Sequence, residues 1–352
     1  CSDEPPSYEE STLTIQNIQK GRPTVVPASN FNASWDAVAV NKALKIGDKK
    51  AITNVLCKRS LSQRLLIAAA YKTSYKKNLI DDIKSKVSGN VKGVYVNLLM
   101  TPQELYCRHL RKTKNDGFIE NIVIAVLSST LDLTENENGD DEVLIEVMCT
   151  GTNSEIRKVC ATYHHLFGKR LEQSIREDKS GNFKRMLKCL AAGKRDESLT
   201  IDFKSAKTAA EELKKAFSKT MPDEKPIIEL FCTESYAQIR LISAEFRKIN
   251  GSSLEKAVKK NFGDTVKDAL IAIIRTANNR NEYYARRINK SINNYLLDDR
   301  SLGRLIVVRS GIDLANIKED FARVFRKQLK LCLKDEICGS YKHAMLTLLG
   351  DE

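Results

Sequence analysis

Apolar residues recur at helical spacing along nearly the whole chain, and four stretches repeat one pattern. They are Arg59-Ser-Leu-Ser-Gln-Arg-Leu-Leu-Ile-Ala-Ala-Ala-Tyr71, Gly151-Thr-Asn-Ser-Glu-Ile-Arg-Lys-Val-Cys-Ala-Thr-Tyr163, Glu234-Ser-Tyr-Ala-Gln-Ile-Arg-Leu-Ile-Ser-Ala-Glu-Phe246 and Arg309-Ser-Gly-Ile-Asp-Leu-Ala-Asn-Ile-Lys-Glu-Asp-Phe321. Each opens on a polar helix start, carries an apolar stripe at i, i+3, i+4 and i+7, and closes on an aromatic. Such a stripe is the buried face of an amphipathic helix. A second marker follows each stretch: Ser88-Gly89-Asn90, Ser180-Gly181-Asn182, Phe262-Gly263-Asp264 and Cys338-Gly339-Ser340. These glycines stand 92, 82 and 76 residues apart. Periods this long, each holding several helices, predict four copies of one helical unit.

In the first copy the pattern predicts helices over 34–45, 50–58, 62–74, 76–86 and 91–100. Turns at Lys45-Ile46-Gly47-Asp48, Arg59-Ser60 and Ser88-Gly89 separate them. Continuous β-type alternation is absent, so the expected fold is all-α, with four five-helix repeats over 31–100, 117–192, 203–276 and 281–350. Residues 1–30 are acidic, then proline-containing, and are expected to form a disordered leader. Residues 101–116, with an extra linker helix over Thr101–Lys114, and residues 193–202 are left as linkers. The spacing from the first copy to the second is long, with surplus residues in 111–117 and 132–142. Phe118–Leu133 is preferred as the first helix of copy two, because Phe118, Val123, Ala125 and Leu127 fit its apolar face. The alternative makes Gln103–Lys114 that helix and the rest, to Glu142, an insertion.

Composition narrows the function. The 42% hydrophobic and 29% charged content is ordinary for a globular protein. No apolar run reaches the ~20 residues that span a bilayer, and the N-terminus lacks the basic-then-apolar pattern of a secretory signal. The nine cysteines include no Cys-x-x-Cys pair and sit mostly in amphipathic segments. They read as small buried apolar residues in a reducing, cytosolic setting, with Cys1 and Cys107 the ones expected to be exposed. The net charge of +13 favours acidic partners such as anionic lipid surfaces, sulfated glycans or nucleic acid. Aromatics are few and not interleaved with arginine, so no base-stacking surface is indicated and nucleic acid is not expected. His164-His165 are adjacent on a helix and diverge by about 100°, unlike an i, i+4 metal pair. No phosphate-binding glycine loop and no His-Glu-x-x-His occurs, so an enzyme is not expected. Pro5-Pro6-Ser7-Tyr8 fits a short Pro-Pro-x-Tyr ligand, through which the leader could reach a protein partner.

Several phrases together resemble the annexin family over about 320 of the 352 positions. They are Asn30-Phe-Asn-Ala-Ser-Trp-Asp36, Ala69-Ala-Tyr-Lys-Thr73, Leu99-Met-Thr-Pro102, Leu144-Ile-Glu-Val147, Ile306-Val-Val-Arg-Ser-Gly-Ile-Asp313 and the C-terminal Tyr341–Asp351. The resemblance implies four five-helix repeats in a curved disc whose convex face binds calcium and acidic phospholipid. Calcium takes six to eight oxygen ligands at about 2.3–2.6 Å. In annexins a loop of the form Met-Lys-Gly-x-Gly-Thr, between the first two helices of a repeat, supplies carbonyl oxygens. A carboxylate about 40 residues after the second loop glycine caps the ion.

Every copy here departs from that pattern. Copy one has Leu44-Lys45-Ile46-Gly47-Asp48, about two residues short, with Lys86 at the cap, so lysine charge replaces the ion. Copy two has Thr134-Glu-Asn-Glu-Asn-Gly139 before three acids. The resemblance assigns it carbonyls of Thr134, Asn136 and Asn138 and the Asp178 carboxylate. Copy three has Ser218-Lys-Thr-Met-Pro222 and Asn261 at the cap, losing both charge and flexibility. Copy four has Ile292-Asn-Asn-Tyr-Leu296, which implies carbonyls of Ile292, Asn294 and Leu296 with Glu336 as cap.

Two functions follow. The first is non-catalytic, calcium-dependent, peripheral binding to acidic phospholipid membranes in the cytoplasm. The alternative is a calcium-independent scaffold for polyanions, anionic lipid or proteins. It would use a basic convex face that includes Lys45, Lys49, Lys50, Lys84 and Lys86.

Overall fold

The computed structural model describes residues 21–111, 139–178, 181–219, 223–293 and 297–350, and these contain nineteen helices and no strand. The first copy holds α1 (Ala33–Ile46), α2 (Lys49–Leu56), α3 (Leu61–Tyr75), α4 (Leu79–Lys86) and α5 (Val91–Leu98). Then come α6 (Pro102–Arg111), α7 (Gly139–Thr150), α8 (Asn153–Phe167), α9 (Leu171–Asp178) and α10 (Gly181–Ala191). The third copy runs through α11 (Phe203–Phe217), α12 (Glu224–Thr233), α13 (Tyr236–Asn250) and α14 (Leu254–Asn261) into α15 (Asp264–Ile292). Helix α15 is broken at Asn279, whose backbone is extended (φ −160°, ψ 105°). The fourth copy continues with α16 (Asp299–Ser310), α17 (Leu314–Phe325), α18 (Leu329–Glu336) and α19 (Gly339–Leu348). Among the described residues no helix is long and apolar enough to cross a membrane.

The repeated stripe turns inward in every copy. Buried positions are Gln63, Arg64, Ile67 and Tyr71 in α3, Ile156, Val159 and Tyr163 in α8, Ile239, Ile242 and Phe246 in α13, and Leu314, Ile317 and Phe321 in α17. Fully burying one such apolar side chain contributes about 1.5–3 kcal/mol. In the first three copies the polar starts are caps. Ser60 Oγ accepts from Gln63 N (3.4 Å) and Thr152 Oγ1 from Glu155 N (3.2 Å), and each Gln or Glu bonds back to complete the capping box. Gln63 also clasps the backbone of Ala28, accepting from its N–H (3.0 Å) and donating to its carbonyl (2.8 Å). Gln238 clasps Asp202 in the same way, both bonds at 3.0 Å. Gln63→Ala is therefore expected to cost about 1 kcal/mol, because two part-buried backbone groups lose their partner. Amide hydrogen exchange at Ala28 should accelerate with it; unchanged exchange would show that the clasp is idle.

The chain forms two compact units. One combines the residues up to Leu105 with those from Asn281 onward; the other is Tyr106–Arg280. In the first, α5 lies against α16 and α2 against α19, which joins copies one and four. In the second, α10 lies against α12, which joins copies two and three.

Four expectations are corrected. The leader is ordered from Gly21: Thr24 N and Val25 N both donate to Ser310 O (2.9 and 3.0 Å), and Thr24 Oγ1 donates to Leu348 O (2.6 Å). This strap satisfies carbonyls left open at the C-terminal ends of α16 and α19. Gly21 runs so close to the turn after α16 that a Cβ there would stand 2.5 Å from Ile312 O. Residues 1–20, including Pro5-Pro6-Ser7-Tyr8, lie outside the described residues. Helix α4 starts at Leu79 rather than 76, because Lys76 takes a left-handed backbone (φ 55°) that ends α3, and Asn78 caps α4. The stretch 101–116, where both readings place a helix, contains α6. Cys107 on α6 is fully buried, not exposed, and its thiol donates to Val159 O on α8 (3.4 Å). Phe118–Leu133, preferred as the first helix of copy two, lies outside the described residues. The acidic run expected as a loop is helical from Gly139. Asp141 and Glu142 stand in the first turn of α7, where carboxylates favour the positive end of the helix dipole.

Candidate functional site

In the unit of copies one and four, several helix ends gather. Helix α1 ends on Gly47, whose left-handed backbone (φ 73°) lets its N–H reach Ala43 O. Asp48 caps α2, its Oδ1 accepting from Ala51 N (2.9 Å). Lys49, the first residue of α2, extends its ammonium to Ser88, at 3.1 Å from the carbonyl and 3.3 Å from the hydroxyl. Beyond Ser88, Asn90 Nδ2 donates to Asp299 Oδ2 at the start of α16, and Tyr341 OH donates to Asp299 O (3.3 Å). The start of α2 thus meets the turn before α5, and the starts of α16 and α19 join the same end.

This end is basic around copy one. Lys45, Lys50, Lys84 and Lys86 are exposed. Ile46 stands among them, 69% exposed. Of the five lysines expected to bind lipid, Lys49 is the one that spans the two loops. Lys86 reaches back instead to Asp82 Oδ2 on its own helix (3.5 Å). Sequence reasoning missed the Lys49–Ser88 bridge; the signal it could have used is a lysine opening α2 in a copy whose loop is short.

Copy one does not fit calcium. The loop carbonyls are engaged: Gly47 O accepts from Lys49 N (3.0 Å) and Asp48 O from Ile52 N (3.2 Å). An ammonium already fills the gap between the loops, and a divalent ion within ~4 Å of it would be strongly repelled. Copy three does not fit either. Asn261 Nδ2 is turned back to Ala257 O (2.9 Å), and Ser218 Oγ donates to Lys215 O (2.8 Å).

Copy four fits better. Ile292 ends α15 and is buried, so only its carbonyl could serve as a ligand. Asp298 is committed as the cap of α16, its Oδ1 accepting from Ser301 N (2.9 Å). Asp299 Oδ1, by contrast, is buried and takes no protein hydrogen bond. Burial, with Asp298 adding to it, pushes the Asp299 carboxyl above the usual carboxylate range. Glu336 ends α18 with its side chain exposed. Asn294 and Leu296 lie outside the described residues. So do Thr134, Asn136 and Asn138 of copy two, while Asp178 is the last residue of α9. Among the described residues no three His, Cys, Asp or Glu side chains gather closely enough to hold a metal by themselves.

The annexin family model matches residues 36–98, 130–190 and 208–273. Chicken annexin A6 is 35% identical over 340 residues, covering 94% of this chain and 48% of the relative, so the chain spans about half the length of that protein. Bovine annexin A4 is 34% identical over 333 residues, covering 94% of this chain and 98% of the relative. Among solved structures, annexin III superposes with a TM-score of 0.83 at 30% identity, covering 94% of this chain and 98% of that one. The family-model matches fall within copies one to three. The chain belongs to the annexin family, whose members are generally non-enzymatic and bind phospholipid in a calcium-dependent manner.

Proposed function

We propose that this chain docks peripherally and without catalysis on acidic phospholipid at the cytoplasmic face of membranes. Calcium is held at copies two and four, and lysine charge stands in for it at copy one. The observation that carries this reading is the Lys49 ammonium joining the loops of copy one, with Lys45, Lys50, Lys84 and Lys86 exposed around it. At copy two the ligands are the carbonyls of Thr134, Asn136 and Asn138 and the Asp178 carboxylate. At copy four they are the carbonyls of Ile292, Asn294 and Leu296 and the Glu336 carboxylate. Bound calcium supplies a divalent charge with open positions for a lipid phosphate. The chain's own part is to supply these oxygens and, at copy one, a cluster of exposed lysines.

Co-sedimentation with phosphatidylserine vesicles, with and without calcium, tests the reading. Asp178→Ala should weaken the calcium-dependent component more than Glu336→Ala, because Leu296 stands where the copy-four loop needs glycine-like freedom. Equal calcium-dependent binding by wild type and Asp178→Ala rules out the copy-two site. Binding with no calcium dependence at all leaves the second reading, a calcium-independent anionic-surface scaffold. That reading is supported by the same exposed lysines and is screened by salt.

A further inference from the structure

In the unit formed by residues 106–280, copy three gathers lysines at the end where its calcium ligands are missing. Helix α11 ends on Phe217, and α14 ends on Asn261 with Phe262 directly after it. The two helix ends meet through these aromatics. The Phe217 ring stands edge-on to Phe262, with centroids 6.2 Å apart, and edge-on to Phe246 of α13, at 5.9 Å. Phe246 and Phe262 are buried, so the junction is anchored in the core. The last turn of α11 carries Lys214 and Lys215, and Lys219 lies just beyond it. The last turn of α14 carries Lys259 and Lys260. One aromatic junction thus brings these lysines, all exposed, to one end of copy three.

Two of the lysines are used inside the protein. Lys214 Nζ donates to Ile249 O (2.6 Å), at the C-terminal end of α13 where carbonyls lack helical partners. Lys259 pairs with Glu255 one turn back on its own helix (2.7 Å). Lys215, Lys219 and Lys260 differ: among the described residues their ammonium groups form no ion pair. The carboxylates around them are engaged elsewhere. Glu255 is held by Arg275 through both oxygens (3.0 and 2.5 Å) as well as by Lys259. Asp223 caps α12 by accepting from Lys225 N (3.1 Å), and Glu224 accepts from Asn182 Nδ2 (2.6 Å). Asn261, beside Lys260, is neutral and turned back to Ala257 O.

We propose that Lys215, Lys219 and Lys260 hold the phosphate groups of an anionic bilayer without calcium, which makes copy three a lysine-based membrane contact of its own. The proposal rests on the reading that this chain docks on acidic phospholipid, and it adds a site where that reading places none. Each ammonium offers charge-assisted hydrogen bonds to phosphate oxygens. All three lysines are exposed and spread over two helix ends, which suits a flat, densely anionic surface; a bilayer rich in phosphatidylserine is one. The contact needs no loop carbonyl and no capping carboxylate, the two things copy three lacks. Salt screens it, because exposed charges act only over about a Debye length.

The test is lysine footprinting of the full chain at low salt with a calcium chelator. An amine-acetylating reagent is added with and without phosphatidylserine vesicles, and each lysine is read by mass spectrometry. Lys215, Lys219 and Lys260 should lose most of their reactivity with these vesicles and keep it with phosphatidylcholine vesicles. The variant Lys215→Gln/Lys219→Gln/Lys260→Gln should bind phosphatidylserine vesicles about a hundredfold more weakly, since each lysine at an anionic surface adds about a factor of five. Arginine at the same three positions should restore binding. The footprint needs no variant, so misfolding of the Gln variant leaves the test intact. Protection of Lys45 and Lys50, with Lys215, Lys219 and Lys260 reacting as in solution, overturns this proposal and leaves the membrane reading standing. Absence of vesicle binding with and without calcium removes the membrane reading and this contact with it. Protection of the three lysines by soluble heparin but not by vesicles assigns them to a soluble polyanion and overturns the lipid contact.

Discussion

Asp313→Ala is expected to destabilise the protein by about 3–5 kcal/mol, the usual cost of stripping one partner from a buried ion pair. Arg309 is 2% exposed and Asp313 6%. Arg309 Nε donates to Asp313 Oδ1 (2.6 Å), a second guanidinium N–H bonds the other oxygen, and the guanidinium lies 4.1 Å above the Tyr284 ring. One side chain thus ties α16, the start of α17 and the second half of α15. Removing the carboxylate takes both of these charge-assisted hydrogen bonds from a buried guanidinium. The double variant Arg309→Met/Asp313→Leu should recover most of the loss, since it removes both charges and keeps the volume. Urea denaturation followed by circular dichroism reads both. A loss below about 1 kcal/mol for Asp313→Ala would mean that water enters the site.

Replacing Lys45, Lys50 and Lys84 together by Gln should reduce calcium-free binding to phosphatidylserine vesicles about a hundredfold at low salt. Each lysine near an anionic surface contributes about 1 kcal/mol, and three sum to about 3 kcal/mol. All three are exposed, so the fold should tolerate the change. Lys49 is left out because its ammonium holds Ser88. The wild type should itself lose this binding at ~1 M salt, where the screening length falls to about 3 Å. Wild-type binding that persists there would exclude a lysine-driven contact.

Much of the fold is legible in the sequence because local chemistry decides it. The α3 stripe predicts 62–74 and the helix is Leu61–Tyr75; the turn at Gly47 and Asp48 is where a left-handed glycine and an Asp cap must be. Other features depend on long-range meetings. The strap reads as disordered because its prolines and polar residues form no helix; what orders it is a carbonyl at Ser310, nearly 300 residues away. Lys49 and Ser88 are 39 residues apart, and nothing local says that their helix ends meet. Arg309 and Asp313 are i, i+4 neighbours, yet the helix stops between them, so helical periodicity does not predict the pair. The proposed calcium ligands rest on offsets carried by resemblance, which no local pattern supplies. The structure adds the positive finding that copy one has filled its gap with an ammonium.

The unit of copies one and four is built from the two ends of the chain, and this sets the order in which the protein can fold during synthesis. Residues 106–280 leave the ribosome as one continuous piece and can close before α16–α19 exist. Helices α1–α5 cannot finish. At about 5–20 residues per second, they wait roughly 12–50 s for α19. Through that interval Val91, Val94, Tyr95 and Leu98 of α5 lack the α16 face that covers them. The nascent chain therefore carries a folded middle and an exposed apolar beginning, and the hydrogen bonds from Thr24 to Ser310 and Leu348 can only be made last.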